Sequence, residues 1–232
     1  MRRWCVLFLL LTAVLFGVGC ASGYRVDYSH AQPDKPGSTF LFLGLWNIFS
    51  KGLDDVAANL NEEGYHAQSL PGPEWRQTGD QIIELDRKGE LRRPLVLAGH
   101  SLGADKALYL AEKLRRAGVE VDYICLLDAT NPPRVPANVK RCHNIYLSHP
   151  MTDWFPAFRG IAVSAKSPET ELVNYDVRYA QDGSLSELDF DHFDIETDPG
   201  IQALMTDLIR AQLGGNPDFA SIFPPNSKTR VE

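Results

Sequence analysis

From Thr39 to Leu213, short unbroken apolar runs take turns with longer stretches in which apolar residues return every three or four positions. Thr39-Phe40-Leu41-Phe42-Leu43 is a run of the first kind and ends at Gly44. Leu53, Val56, Ala57 and Leu60 then fall on one face of a helix that Gly64 stops. Tyr65 to Leu70 reads as a short strand, Pro71-Gly72-Pro73 as a turn, and Asp80 to Arg87, with Ile82, Ile83 and Leu85, as a helix. Leu95 to Ala98 is a strand, and Leu102 to Ala117 a helix closed by Gly118. Val121 to Leu127 and Asn144 to Leu147 are strands, and Glu171 to Val177 is a further candidate. The last helix, Pro199 to Leu213, has Pro just inside its start and ends before Gly214-Gly215. Strands that alternate with helices, several of them apolar throughout, predict an α/β fold: a mostly parallel central sheet with helices on both faces.

The first twenty residues carry another pattern. Met1-Arg2-Arg3 is positive, and Trp4 to Val18 is apolar except for Thr12. That is the layout of an export signal, here residues 1–19, and the run nearly reaches the ~18 residues that span a bilayer. Gly17-Val18-Gly19-Cys20 resembles the lipobox of bacterial lipoproteins, in which the cysteine is lipidated and becomes the new N-terminus. It departs from that pattern in carrying Gly17 where Leu is usual. The resemblance implies a lipid anchor at Cys20; a plain secretory signal and an uncleaved anchor stay open. In all three readings Arg2 and Arg3 remain inside and the domain is delivered outside, to the periplasmic face of the cell envelope.

Residues 20–37 read as a tether, since Ala21 to Gly37 is rich in Ser, Pro, Asp and Gly without apolar periodicity. A flexible chain of that length holds a domain roughly 20–25 Å from its anchor. Tyr24 to Tyr28 alternates and is open to a second reading as a short edge strand. The domain proper is expected over 38–214, with 215–232 as a flexible tail.

Composition narrows the partners. With 44% hydrophobic residues in 232, the chain suits one domain with a sizeable core. Its formal charge of -7 excludes nucleic acid, which requires a basic surface. Two cysteines remain in the domain, Cys125 and Cys142, on predicted neighbouring strands; either a disulfide or two buried thiols fits them. There is no CxxC and no HExxH, and neither a metal nor an organic cofactor is implied.

Gly99-His100-Ser101-Leu102-Gly103 matches G-x-S-x-G. By composition alone a chain of this length shows that pattern roughly one time in ten, so context decides. Here a buried strand ends just before the serine and a helix begins just after it, the setting of a nucleophile on a strained turn. Asp105 stands in the first turn of that helix, and Lys113, Arg115 and Arg116 near its end, the charge order a helix dipole prefers. Ser101 in this setting is a candidate nucleophile, and the helix N-terminus points N–H groups at any anion forming beside it. Gly-His-Ser-Leu-Gly and its strand–turn–helix setting resemble the α/β-hydrolase fold superfamily, a likeness that runs from about Thr39 to Leu213.

That resemblance implies the chain order Ser, acid, His for a catalytic triad. His30 and His66 precede Ser101 and drop out, and His100 adjoins it on the turn and is expected to point elsewhere. Of the rest, His192 in "LDFDHFDIETDPG" occupies the loop where hydrolases carry the base, His149 comes early, and His143 begins its strand at the wrong end of the sheet. For the acid, Asp128 closes "YICLLDATNPP" in the manner of the thioesterase branch, and Asp153 in "SHPMTDW" is the alternative. Asp189, Asp191 and Asp194 read as solvated loop charges. The oxyanion donors implied are the backbone N–H groups of Leu102 and Leu45.

Ala129 to His143 is too short for a two-helix lid, so the lid is minimal. "DWFPAFRGIAVSAKSPE", with Trp154, Phe155 and Phe158, is the better cover and suits an apolar acyl group. The implied activity is a serine hydrolase cleaving a small carboxylic ester through an acyl-enzyme. Thioester hydrolysis is the first alternative, and an inactive hydrolase-fold lipoprotein binding an envelope partner is the second.

Overall fold

The unbroken apolar runs become the middle of one seven-stranded sheet. The computed structural model describes residues 24–44, 51–148, 160–179, 191–192, 194–214 and 230–231. Its strands are β1 (Ser38–Phe42), β2 (Ala67–Leu70), β3 (Leu95–His100), β4 (Val121–Leu127), β5 (Val139–Tyr146), β6 (Glu171–Asp176) and β7 (Arg230–Val231), in the order β2-β1-β3-β4-β5-β6-β7. The first six pair in parallel, and β7 alone runs antiparallel, along β6. Among the described residues four helices cover the sheet: α1 (Gly52–Glu62), α2 (Trp75–Lys88), α3 (Leu102–Arg116) and α4 (Pro199–Leu213). This is the expected α/β architecture.

Alternation along each strand sorts the core into two halves. Leu41, Val96, Ala98, Tyr123 and Cys125 face α1 and α4 and meet Leu53, Val56, Leu60, Ile201, Met205 and Leu208. Their neighbours Phe40, Phe42, Leu95, Leu97, Ile124 and Leu126 face α2 and α3 and meet Ile82, Ala104, Ala107, Leu108 and Ala111. Cys125 and Cys142 fall in different halves, so they point to opposite faces of the sheet. Both are free, which removes the disulfide reading.

The strand order also places the site. The chain leaves β1 through α1 to β2 on one side, and leaves β3 through α3 to β4 on the other. In sheets wound this way a site falls at the carboxyl ends of the strands where the winding reverses, here between β1 and β3. Ser101 is the residue that follows β3.

Four expectations change. Residues 24–37, read as a tether, lie against the domain from Tyr24 onward. The Gln81 side chain donates to the Tyr24 carbonyl and accepts from the Val26 N–H, Tyr28 and Ser38 share a hydroxyl hydrogen bond at 2.8 Å, and the Arg92 guanidinium sits over the Tyr28 ring. In the stretch read as a tail, Arg230 and Val231 pair with β6. Next, α2 starts at Trp75 and not Asp80, after a short 3-10 turn over Gly72–Glu74. Its buried face is Thr78, Gly79 and Ile82, and a Cβ on Gly79 would fall 2.8 Å from the Leu110 side chain. A face built of Thr and Gly leaves no apolar stripe to read. Finally, β5 begins five residues before its apolar part, with Lys140 bonded to Asp122 and Arg141 to Glu171 across the neighbouring strands.

Candidate active site

The turn after β3 is built on two glycines and one strained serine. A Cβ on Gly99 would lie 2.5 Å from the Gly103 carbonyl carbon, and one on Gly103 would lie 2.6 Å from the Phe42 carbonyl carbon. Neither position has room for a side chain. Ser101 has φ 57° and ψ -127°, a conformation L-residues avoid, at a cost of order 1–3 kcal/mol. The structure holds it there: the Ser101 N–H donates to the Leu127 carbonyl at 2.9 Å, and the Ser101 carbonyl accepts from Ala104 at 3.0 Å. Leu102 opens α3, so its N–H is one of the terminal donors with no carbonyl a turn behind it.

Two distant segments converge on this turn. His192 Nε2 lies 2.9 Å from Ser101 Oγ, and His192 Nδ1 lies 2.5 Å from Asp128 Oδ2. All three side chains are buried: Ser101 is 9% exposed, His192 5% and Asp128 0%. Asp128 follows β4 in the left-handed region, at φ 51°, where Asp and Asn are the best-tolerated side chains after Gly. Its second oxygen, Oδ1, accepts the Leu147 N–H at 2.8 Å, so the carboxylate is held at both ends.

His192 rides on a short turn braced from three sides. The Asp194 carboxylate accepts the Asp191 N–H at 2.5 Å, and the Ile195 N–H donates to the Asp191 carbonyl at 3.0 Å. Two residues expected as free loop charges therefore tie the turn. Buried Glu196 reaches the first turn of α1 and accepts the Gly52 N–H. His100, expected to point away, packs against His192, their ring centroids 5.4 Å apart. Burial, helped by the His192 charge, lowers His100 to about 3, so it stays neutral and donates Nε2–H to the His192 carbonyl at 3.2 Å.

The sequence candidates thus divide. Ser101, His192 and Asp128 come together, and Leu102 stands beside them. Leu45, Asp153 and Cys20 lie outside the described residues, as do His149, Trp154, Phe155 and Phe158. His143, expected at the start of its strand, is buried inside β5 against the Tyr123 ring. His66 is buried before β2, at the other end of the sheet, and His30 is exposed.

Sequence reasoning saw Asp105 only as a helix-dipole charge. It is 3% exposed and accepts from Thr130 Oγ1 and the Asn131 N–H, both at 3.2 Å, which binds the loop after Asp128 to the helix after Ser101. The available signal was its place between Ala104 and Leu108 on the buried stripe. Burial pushes this carboxyl from 3.8 up to about 6. A raised carboxyl contributes stability below its unfolded pKa, and that contribution is lost as pH rises through about 6. Asp105→Asn, permanently neutral and of the same shape, should raise Tm by roughly 5 °C near pH 7.5 and by nothing near pH 4. An equal offset at both pH values in a thermal melt would defeat this account.

A family model described as a thioesterase domain matches residues 49–196. No curated protein matches the chain. Among solved structures, the chain is similar to the NocB thioesterase domain in covalent complex with a fluorophosphonate nocardicin G analogue, at 15% identity over 81% of this chain and 97% of that one, TM-score 0.48. It is also similar to the RedJ thioesterase of the prodiginine pathway in Streptomyces coelicolor, at 13% identity over 86% and 94%, TM-score 0.43. A hyperthermophilic esterase from the archaeon Pyrobaculum calidifontis aligns at 16% identity over 41% of this chain, which spans 37% of the esterase's length, TM-score 0.32.

Proposed function

The chain belongs to the thioesterase-domain family, and from that premise we propose that it hydrolyses acyl esters with Ser101 as nucleophile, His192 as base and Asp128 as the acid that orients it. One observation carries the reading: the unbroken hydrogen-bonded series Ser101 Oγ–His192 Nε2 and His192 Nδ1–Asp128 Oδ2, buried at the carboxyl ends of the strands. Asp128 accepts the Nδ1–H, which leaves the Nε2 lone pair facing the hydroxyl. Ser101 Oγ then attacks the acyl carbon as its proton passes to Nε2. Backbone N–H groups of Leu102 and Leu45 hold the oxyanion in this proposal. Collapse of the tetrahedral adduct expels the alcohol or thiol, which takes the proton from Nε2, and leaves Ser101 acylated. Water, deprotonated by the same Nε2, releases the acid and restores the serine.

Two leaving groups share this acyl-enzyme. The export pattern of Met1 to Cys20 favours oxygen esters, and the family model favours thioesters. The deciding measurement is kcat/KM of the full chain on p-nitrophenyl esters from acetate to laurate beside thioesters of matched acyl chains. Oxygen esters are expected to lead, with the best chain length reporting the acyl pocket. A thioester preference would transfer the assignment to the second reading, and no turnover of either would end both.

A further inference from the structure

Gly160 is buried beside the carboxylate that orients His192. A Cβ at this position would fall 2.5 Å from Asp128 Cγ, closer still to Oδ1, and 3.1 Å from the Leu147 nitrogen. The space that every other residue fills with a side chain is filled here by the Asp128 carboxylate. Among the described residues, the Asp128 carboxylate makes the strongest demand for glycine here and the Leu147 nitrogen the next.

The segment that carries Gly160 is fixed in place. Ile161 N–H donates to the Ala129 carbonyl at 3.3 Å, directly beyond Asp128. The Asn144 side chain donates to the Ile161 carbonyl at 2.9 Å and to Asn174 Oδ1 at 2.9 Å. Asn174 Oδ1 also accepts the Val163 N–H at 2.8 Å, and Asn174 Nδ2 donates to the Val163 carbonyl at 3.0 Å. These two buried asparagines, one on β5 and one on β6, stitch residues 161–163 to the sheet. A methyl group at 160 is therefore not relieved by sliding the segment away. The freer partner is the Asp128 side chain; ordinary contact near 3.5–4.0 Å requires its Cγ to move by at least about 1 Å, and Oδ1, which lies closer, by more.

We propose that Gly160 is a positioning residue for ester hydrolysis: its missing side chain forms the slot that seats Asp128 Oδ1 against the Leu147 N–H and turns Oδ2 to His192 Nδ1. The assignment rests on the Ser101–His192–Asp128 reading above. Gly160→Ala should lower kcat by at least about 10²-fold, the effect of a 1 Å misplacement, and at most by the ~10⁴ of losing the acid, with KM little changed.

The experiment is a double-mutant cycle on the full chain with Asp128→Gly, which removes the obstructing carboxylate and suits φ 51°. Hydrolysis, Tm and the deshielded proton NMR signal of the His192 Nδ1–H are read for all four proteins. The slot predicts that Gly160→Ala lowers kcat and Tm in the wild-type background, costs neither in the Asp128→Gly background, and abolishes or shifts the Nδ1–H signal. Equal losses in both backgrounds, or an active Gly160→Ala with the signal in place, would overturn it. Should Gly160→Ala fail to fold alone, folding of the pair with Asp128→Gly supports the slot and failure there overturns it. If the wild type hydrolyses no ester, the hydrolase reading falls separately. The proton signal then decides for Gly160, its loss supporting the slot and its persistence overturning it.

Discussion

Ser101→Ala is expected to lower kcat by about 10⁶, and the double variant Ser101→Ala/His192→Ala to do no worse than either single change. The reason is the geometry of one bond. Ser101 Oγ is 2.9 Å from His192 Nε2, so in the proposed mechanism attack and proton transfer are coupled, and removing either atom removes both. What survives is whatever orientation and oxyanion binding contribute to attack by water. The substitution leaves the fold alone: alanine keeps the Cβ, and the Ser101 backbone bonds to Leu127 and Ala104 do not involve the hydroxyl. Single-turnover assays on the best p-nitrophenyl ester check the prediction, with near-UV spectra to confirm the native fold. A variant retaining a tenth of the activity would remove Ser101 from the reaction.

How much of this fold the sequence disclosed depended on what each element buries. β4 (Val121–Leu127) and α4 (Pro199–Leu213) coincide with their expected limits, because each buries apolar side chains along its whole length and ends on strong punctuation. The first turn of α2 and the first half of β5 were hidden by the same logic in reverse. Thr78 and Gly79 pack as well as Leu where helices approach closely, and Lys140 and Arg141 belong to a strand through cross-strand charge pairs. Residues 24–37 have the composition of a linker, yet Gln81, Ser38 and Arg92 hold them by hydrogen bonds and ring contact that no local pattern encodes.

The site splits along the same line. The serine turn is a local device, written within five consecutive residues, and it was legible as such. The partners of Ser101 come from 27 and 91 positions away, and their identity followed from the resemblance of chain order and not from spacing. His100, Glu196 and Gly160 act by touching residues far along the chain, so their residue types carried no signal. Glycine is the extreme case, since what it contributes at 160 is a space whose occupant lies 32 residues earlier.

Asp128→Asn should cost about 10⁴ in kcat with the fold intact, and the cause is the tautomer it imposes. The carboxylate uses both oxygens as acceptors, Oδ1 from the Leu147 N–H and Oδ2 from His192 Nδ1–H. An asparagine has one acceptor for these two donors. Turning its NH2 to Leu147 would set donor against donor at a site that is 0% exposed, where an unmade hydrogen bond costs about 1–3 kcal/mol. The amide therefore keeps its oxygen on Leu147 and points NH2 at His192. Nδ1 can then only accept, the ring proton moves to Nε2, and the base faces Ser101 with a hydrogen where its lone pair belongs. Asparagine tolerates φ 51° as aspartate does, so the backbone gives no reason for unfolding. The measurement is kcat for Asp128→Asn beside Asp153→Asn, with Tm for both. A near-neutral Asp128→Asn and a severe Asp153→Asn would reverse the choice of acid. The expected order, severe and then near-neutral, is what a base oriented by Asp128 requires.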